Sequence, residues 1–233
     1  MLSTNLASVT SNESAGDESA GDDAGTTRRP RGAVRDGLVA AGLELARTGG
    51  PDAVVLREVA RTVGVVPNAA YRHFADRDEL LAAVCSAAMG EFAARIAAGV
   101  SRVRGKYGDP AAARRRLRAI GQAYLRFARE QPGLFATAFA LPHQHSYRIA
   151  DTTAQPHPAP LDQLRAVLDE LVDAGIVSKS RRAGIEYAVW STVHGLAVLT
   201  GQGPLRDAPE ATRQRIEEAV RAFIEAALRS EGP

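Results

Sequence analysis

Cysteine is nearly absent. One residue, Cys85, stands in a chain of 233, which excludes an internal disulfide and any zinc site built on several thiolates. Lysine is almost as scarce. Of the 29 basic residues only Lys106 and Lys179 are lysine, and the rest are arginine. No apolar run approaches the ~20 residues of a membrane-crossing helix. The N-terminus lacks the basic start and apolar stretch of a secretory signal. The expectation is therefore a cytoplasmic protein with no membrane partner. Also missing are a glycine-rich phosphate loop, a Gly-x-Ser-x-Gly elbow and a His-Glu-x-x-His motif. The chain is not expected to be an enzyme, and no cofactor or metal is expected.

What is present is ordinary for a globular chain: 45% hydrophobic and 24% charged residues. The net charge is +2, unevenly spread. Residues 1–27 carry five acids (Glu13, Asp17, Glu18, Asp22, Asp23) and no base, so residues 28–233 hold 29 bases against 22 acids, a net +7. The planar fork of arginine suits phosphate, so a polyanion partner fits this balance. Residues 1–27 are small and polar, cannot offset their ordering entropy, and are expected to be a disordered acidic tail. Arg28, Arg29, Arg31 and Arg35 follow at once, either as a solvated linker or as an arm reaching phosphates or the minor groove.

From Val34 the apolar spacing is helical: Val34, Leu38, Ala41, Leu45. Gly49, Gly50 and Pro51 stop that helix. Leu56, Val59, Ala60 and Val63 form a short second face ending at Gly64. Pro67 opens a third short helix, because a missing N–H costs nothing in a first turn. Asp76, Asp78 and Glu79 place acids at the positive end of a long fourth helix with the stripe Leu81, Val84, Ala88, Phe92, Ile96. Asp109 and Pro110 start a helix to Glu130. A short apolar helix near 134–140 comes next, then a proline-broken loop, 142–159, with His143, His145 and His157. Stripes at Leu161–Leu171, Ile185–Leu199 and Ile216–Ala227 complete nine helices and no sheet: an all-α chain. The Leu161 stripe ends at Gly175.

Two short helices joined by a tight turn are helix-turn-helix organisation, over 55–74. Gly64 supplies the turn, and small Ala60 lets two helices cross closely. Ala70 and Phe74, four apart, anchor the third helix. Asn68, Ala69, Arg72 and His73 then project outward with Tyr71 at the flank, on a helix of seven residues. An amide, a phenol, an arginine and an imidazole on one short helix suit groove edges and phosphates.

The run Tyr71-Arg72-His73-Phe74-Ala75-Asp76-Arg77-Asp78-Glu79-Leu80-Leu81, following Gly64-Val65, resembles the DNA-binding domain of the TetR family of repressors. The likeness covers 31–92. A weaker one covers the remainder: Trp190…His194-Gly195, and Asp109-Pro110 leading to Tyr124 through Phe135, are similar to one branch of that family's C-terminal domains. The resemblance implies a homodimer, a three-helix DNA-binding head at 31–92, and a helical body at 93–233 that binds a small-molecule effector and dimerises. It implies that Tyr71 and Arg77 grip phosphates and that Arg57, Asn68, Ala69, Arg72 and His73 meet bases or backbone of a double-stranded operator. Two positions depart from the family pattern. Val54-Val55-Leu56 and Val66-Pro67 stand where hydroxyl residues usually cap the second and third helices and touch phosphate.

Within the body, Tyr124, Phe127, Phe135, Phe139, Tyr187, Trp190 and His194 are candidates to border a ligand pocket; most of the aromatic ones are expected to be core, with some of them bordering any cavity. Core packing is the favoured reading of Trp190 and His194, which lie four apart on one helix face. Loop composition explains the three loop histidines better than a metal site. Arg114, Arg115, Arg116 and Arg118 read as a solvated helix face, and Cys85 as a small core residue. Ile185, Val189, Leu196, Ile216, Val220 and Phe223 are candidates for the dimer interface, through the last two long helices, 181–201 and 208–229, packed as a four-helix bundle. The expected mechanism sets two recognition helices ~34–36 Å apart in successive major grooves. A ligand in the body then moves the fourth helix and releases DNA. A nonspecific DNA-coating protein is the alternative, and an all-helical enzyme a remote one.

Overall fold

A computed structural model of the chain describes residues 31–140 and 156–229. The expected acidic tail 1–27, Arg28 and Arg29, and the loop histidines His143 and His145 lie outside the described residues, as does most of the segment 142–159. Among the described residues there are nine α-helices and no strand. They are α1 (Arg31–Gly49), α2 (Leu56–Val63), α3 (Pro67–Ala70), α4 (Arg77–Ser101), α5 (Pro110–Glu130), α6 (Pro132–Ala138), α7 (Pro160–Asp173), α8 (Ile185–Gly201) and α9 (Glu210–Arg229).

The helix boundaries follow local chemistry. Gly64 takes φ 76°, a left-handed conformation that costs glycine little, and its N–H closes α2 on the carbonyls of Ala60 and Arg61. Asp76 caps α4, its Oδ1 accepting from the Glu79 N–H at 2.8 Å, while Glu79 Oε2 accepts from the Ala75 N–H. Asp109 caps α5 in the same way, accepting from the Ala112 N–H, with Pro110 in the first turn. Neither Val55 nor Val66 makes a side-chain cap bond, so α2 and α3 start without the usual hydroxyl.

Several boundaries differ from expectation. The third helix is four residues, continued by a turn in which Tyr71, His73 and Phe74 N–H groups bond to Pro67 and Ala70 carbonyls. Coiled backbone thus still reaches Phe74. The short sixth helix begins on Pro132, not near 134, because Pro132 fills its first turn. The eighth starts at Ile185, after a 3₁₀ turn at Lys179–Arg181 and a left-handed Gly184 that breaks the helical run. The ninth starts at Glu210, after Pro209.

One apolar core runs through the chain, from Leu38 to Leu228. The long helix α4 is its axis, packing against α1 on one side and α5 and α6 on the other. All five residues of its expected stripe are buried. By length and hydropathy α4 would suffice to cross a membrane; eight of its 25 residues are buried in the core. At ~1.5 Å per residue it spans about 37 Å, long enough to belong to both ends of the molecule.

Candidate DNA-contacting head and ligand cavity

Helices α1 to α3 and the start of α4 form the first site. Ala70 and Phe74 are 0% and 1% exposed, and α3 packs on α2. Seating that face turns the opposite one outward, where Asn68, Tyr71 and Arg72 are exposed and Ala69 and His73 half-buried. Arg57 is exposed on α2. Val55 and Val66 are also exposed, at 40% and 69%, so apolar groups stand at two of the positions where hydroxyls were wanted. The Arg35 guanidinium lies 4.8 Å from the Phe74 ring centre, which fixes one member of the basic cluster against the head.

Arg77 is placed differently from its expected phosphate role. Its Nε donates to the Val54 carbonyl at 2.9 Å and its Nη2 to the Pro51 carbonyl at 2.8 Å. Asp52 and Asp78 are each 3.9 Å from the guanidinium. In this arrangement the side chain ties the turn between α1 and α2 to the start of α4.

A three-way joint connects head to body. Arg47, near the end of α1, donates to Gln131 Oε1 at 2.9 Å and pairs with Glu91 of α4 at 3.0 Å and Glu44 at 3.1 Å. Beside it, α6 meets the carbonyl end of α1 so closely that a Cβ on Gly133 would fall 2.3 Å from the Ala46 oxygen.

The body contains a cavity of ≈480 Å³ between α5, α7, α8 and α9. Leu117, Ile120, Leu161, Val193, Val220 and Ile224 give it apolar walls, and Tyr124 and Trp190 line it too. Of the expected pocket residues only these last two do so. Phe127 and Phe135 are 1% and 5% exposed because both pack on Phe92. Phe92 of α4 stacks on Phe127 at 4.8 Å and meets Tyr124 edge-on at 4.7 Å, while Phe139 packs on Phe135 and on His194. Tyr187 points outward, where Arg165 lies against its ring and donates to its hydroxyl.

The polar groups beside the cavity satisfy each other. Trp190 Nε1 donates to the Tyr124 oxygen at 3.1 Å, and that oxygen is 2.8 Å from His194 Nδ1. Burial lowers the His194 pKa and raises that of the Tyr124 phenol. The consistent arrangement is a phenol O–H donating to a neutral imidazole. Burial likewise pushes the Cys85 thiol up to about 11, so it remains an inert core group.

Two further expectations are corrected. Val189 and Leu196 are 6% and 4% exposed within the single chain, so they do not belong to an exposed dimerisation face; Val189 lines the cavity instead. The inner face of α8 also includes Val193 and Ala197. Ile185 is half-buried. Ile216 and Val220 are half-buried and Phe223 is 64% exposed along a shallow outer groove of α9. Nor is the arginine run wholly solvated, since Arg116 is ion-paired with buried Glu170 of α7.

A helix-turn-helix head is joined by one long helix to an all-helical body with an apolar cavity, which is the organisation of a DNA-binding regulator. Residues 38–84 match the model described as bacterial regulatory proteins, tetR family, and residues 117–223 match that of the tetracyclin repressor-like C-terminal domain. The chain belongs to the TetR family of transcriptional regulators, which are DNA-binding proteins and not enzymes. Among curated proteins none matches this chain in sequence. Among solved structures, a protein of unknown function from Rhodococcus sp. RHA1 is similar with a TM-score of 0.67 and 25% identity, over 88% of this chain and 100% of its own. A TetR family transcription regulator from Marinobacter aquaeolei VT8 gives 0.56 and 18%, over 85% and 99%. A tetR-family transcriptional regulator from Streptomyces coelicolor gives 0.54 and 21%, over 84% and 80%. The last two likenesses are of fold.

Proposed function

We propose that the chain is a homodimeric repressor that acts in the cytoplasm, binds a palindromic double-stranded operator through α2 and α3, and is released by a small-molecule effector. The functional division is a head at 31–92 and a body at 93–233, with α4 crossing the join. The observation that carries the reading is the double membership of α4. Leu81 and Val84 at its start are core residues of the head, and Phe92 further along packs on Tyr124, which lines the body's cavity. A ligand that prefers one setting of Tyr124 therefore has a packed route to the head, and ~1–3 kcal/mol of preference is the usual size of such coupling.

In the head, Asn68, Ala69, Arg72 and His73 are assigned to base edges or backbone, Arg57 and Tyr71 to the phosphates beside them, and Arg77 to holding the frame that presents them. The dimer is assigned to α8 and α9, whose outward faces expose Val198, Leu199 and Phe223. Nuclease footprinting on the DNA upstream of the protein's own gene tests the reading. One short protected palindrome is expected. Uniform coating, or no protection, would refute it.

A further inference from the structure

Val66 is 69% exposed, more than any other large hydrophobic side chain among the described residues. It stands at the N-cap of α3, makes no side-chain cap bond and does not belong to the apolar core. Within the single chain its isopropyl group therefore adds little to the fold.

Its position is nonetheless fixed. Pro67 follows, and a residue before proline is confined to extended backbone, which Val66 takes at φ −67° and ψ 144°. Its carbonyl accepts from the Ala69 N–H at 2.8 Å, and on its other side the Val65 N–H donates to the Ala60 carbonyl at 3.0 Å. Valine is branched at Cβ and stiff at χ1. Two methyl groups are thus held at the leading tip of α3, with little rotamer freedom left to lose on contact.

The neighbours limit what can cover them. Pro67 and Asn68 are exposed and Ala69 is half-buried, so the tip presents valine, proline and alanine carbon around one amide. A phosphate oxygen takes N–H or O–H donors or positive charge, and an isopropyl group has neither. In the major groove one base edge carries a carbon substituent, the C5 methyl of thymine. The amide of Asn68 suits adenine N6 and N7, and the base paired with adenine is thymine. Where a hydroxyl would be drawn to phosphate, this valine is drawn to a methyl group.

We propose that Val66 reads the methyl group of one thymine in each operator half-site and so helps to set base preference. This rests on the reading of α3 as the element that enters the major groove, and adds one base and the atom by which it is recognised. Contact removes both carbon groups from water, which favours thymine over cytosine at that position.

The test uses the full chain and a pool of random duplexes, from which repeated rounds of binding enrich the preferred site. Each thymine of that site is then replaced in turn by deoxyuridine, symmetrically in both half-sites, which removes the methyl and keeps every Watson–Crick hydrogen bond. At one position affinity should fall by about fourfold per half-site, the size of one buried carbon group, or about fifteenfold for the pair. Val66→Ser and Val66→Gly keep residues that suit an N-cap and offer no methyl. Both should melt close to the parent protein, since the side chain they replace is exposed. Each should bind the thymine and uracil duplexes alike, a comparison made within one variant and so independent of its overall affinity. An enriched site with no uracil-sensitive thymine, or the same loss in parent and variants, would overturn the inference and leave the operator reading standing. A pool that enriches no sequence would sink the operator reading, and this inference with it.

Discussion

Replacing Arg77 with alanine separates two roles that a basic residue at the start of α4 can play. If it gripped a phosphate, its loss would release about one counter-ion fewer, and the slope of log affinity against log salt would fall by ~0.9. The structure directs its Nε and Nη2 to the Val54 and Pro51 carbonyls instead. Hydrogen bonds from a charged donor contribute ~1.5–3 kcal/mol each when sheltered. The side chain is 41% exposed, so water replaces part of that, and about 1–3 kcal/mol is the expected net loss of stability for the pair. For a chain of this size each kcal/mol moves the melting temperature by roughly 2–4 °C, giving a fall of about 2–12 °C. The affinity for all DNA sequences should drop together, because the turn that carries α2 loosens, while the salt slope stays that of the parent protein. Arg72→Ala, in the exposed turn that continues α3, supplies the contrast: little change in melting and a measurable change in slope or base preference. Melting curves and salt titrations of the two variants decide the matter. An Arg77→Ala protein that melts normally and loses ~0.9 from its slope would refute the carbonyl-tying role.

Gly133→Ala would drive a methyl into the Ala46 and Arg47 carbonyls at the head–body joint; overpacking of this kind costs ~1–3 kcal/mol, so a lowered melting temperature is expected, and an unchanged one would show that α6 can slide freely on α1. His194 has its pKa lowered by burial from 6.5, so as pH falls through that value the unfolded chain takes up the proton first and the folded state loses stability. Denaturant titrations should show that stability is full above pH 6.5 and declines below it, with His194→Gln removing that part of the slope; identical profiles for the two proteins would mean that His194 is not the group responsible. Phe223→Glu changes a residue 64% exposed in the single chain, so folding should be untouched while the dimer weakens by about 2 kcal/mol, roughly 30-fold, as for an aromatic anchor at an interface; light scattering that still finds a dimer of parental strength would remove Phe223 from it.

The head was legible because its signals are local. Gly64, Pro67, Ala70 and Phe74 act on their own few residues: one turns the chain, one opens a helix, two anchor it, and the face left over is the outward one. Helix starts at Asp109-Pro110 and Asp76 were legible for the same reason, since a cap bond closes within three residues. The tie made by Arg77 was not legible, because its partners, Pro51 and Val54, are backbone carbonyls more than twenty residues upstream, and no side-chain pattern records a carbonyl that needs a donor.

The cavity was less legible, and the reason is energetic. The spacing of aromatic rings on facing helices does not say which are core and which are pocket wall; large rings gain most by burying themselves, and Phe92, Phe127, Phe135 and Phe139 cluster instead of leaving space. Space is left where smaller side chains face a helix that does not come close, as Leu117, Ile120 and Val193 face α9. That gap is a property of how α9 leans on α8, which the stripe Ile216, Val220, Phe223 could not reveal by itself. Its residues at i, i+4 and i+7 do not all point into one interface. Val220 faces both the cavity and the outer groove, and Phe223 belongs to the groove alone. A single amphipathic stripe reads as one buried face only when one surface covers it. Where a helix has a cavity behind it and an open groove in front, the same spacing serves two surfaces.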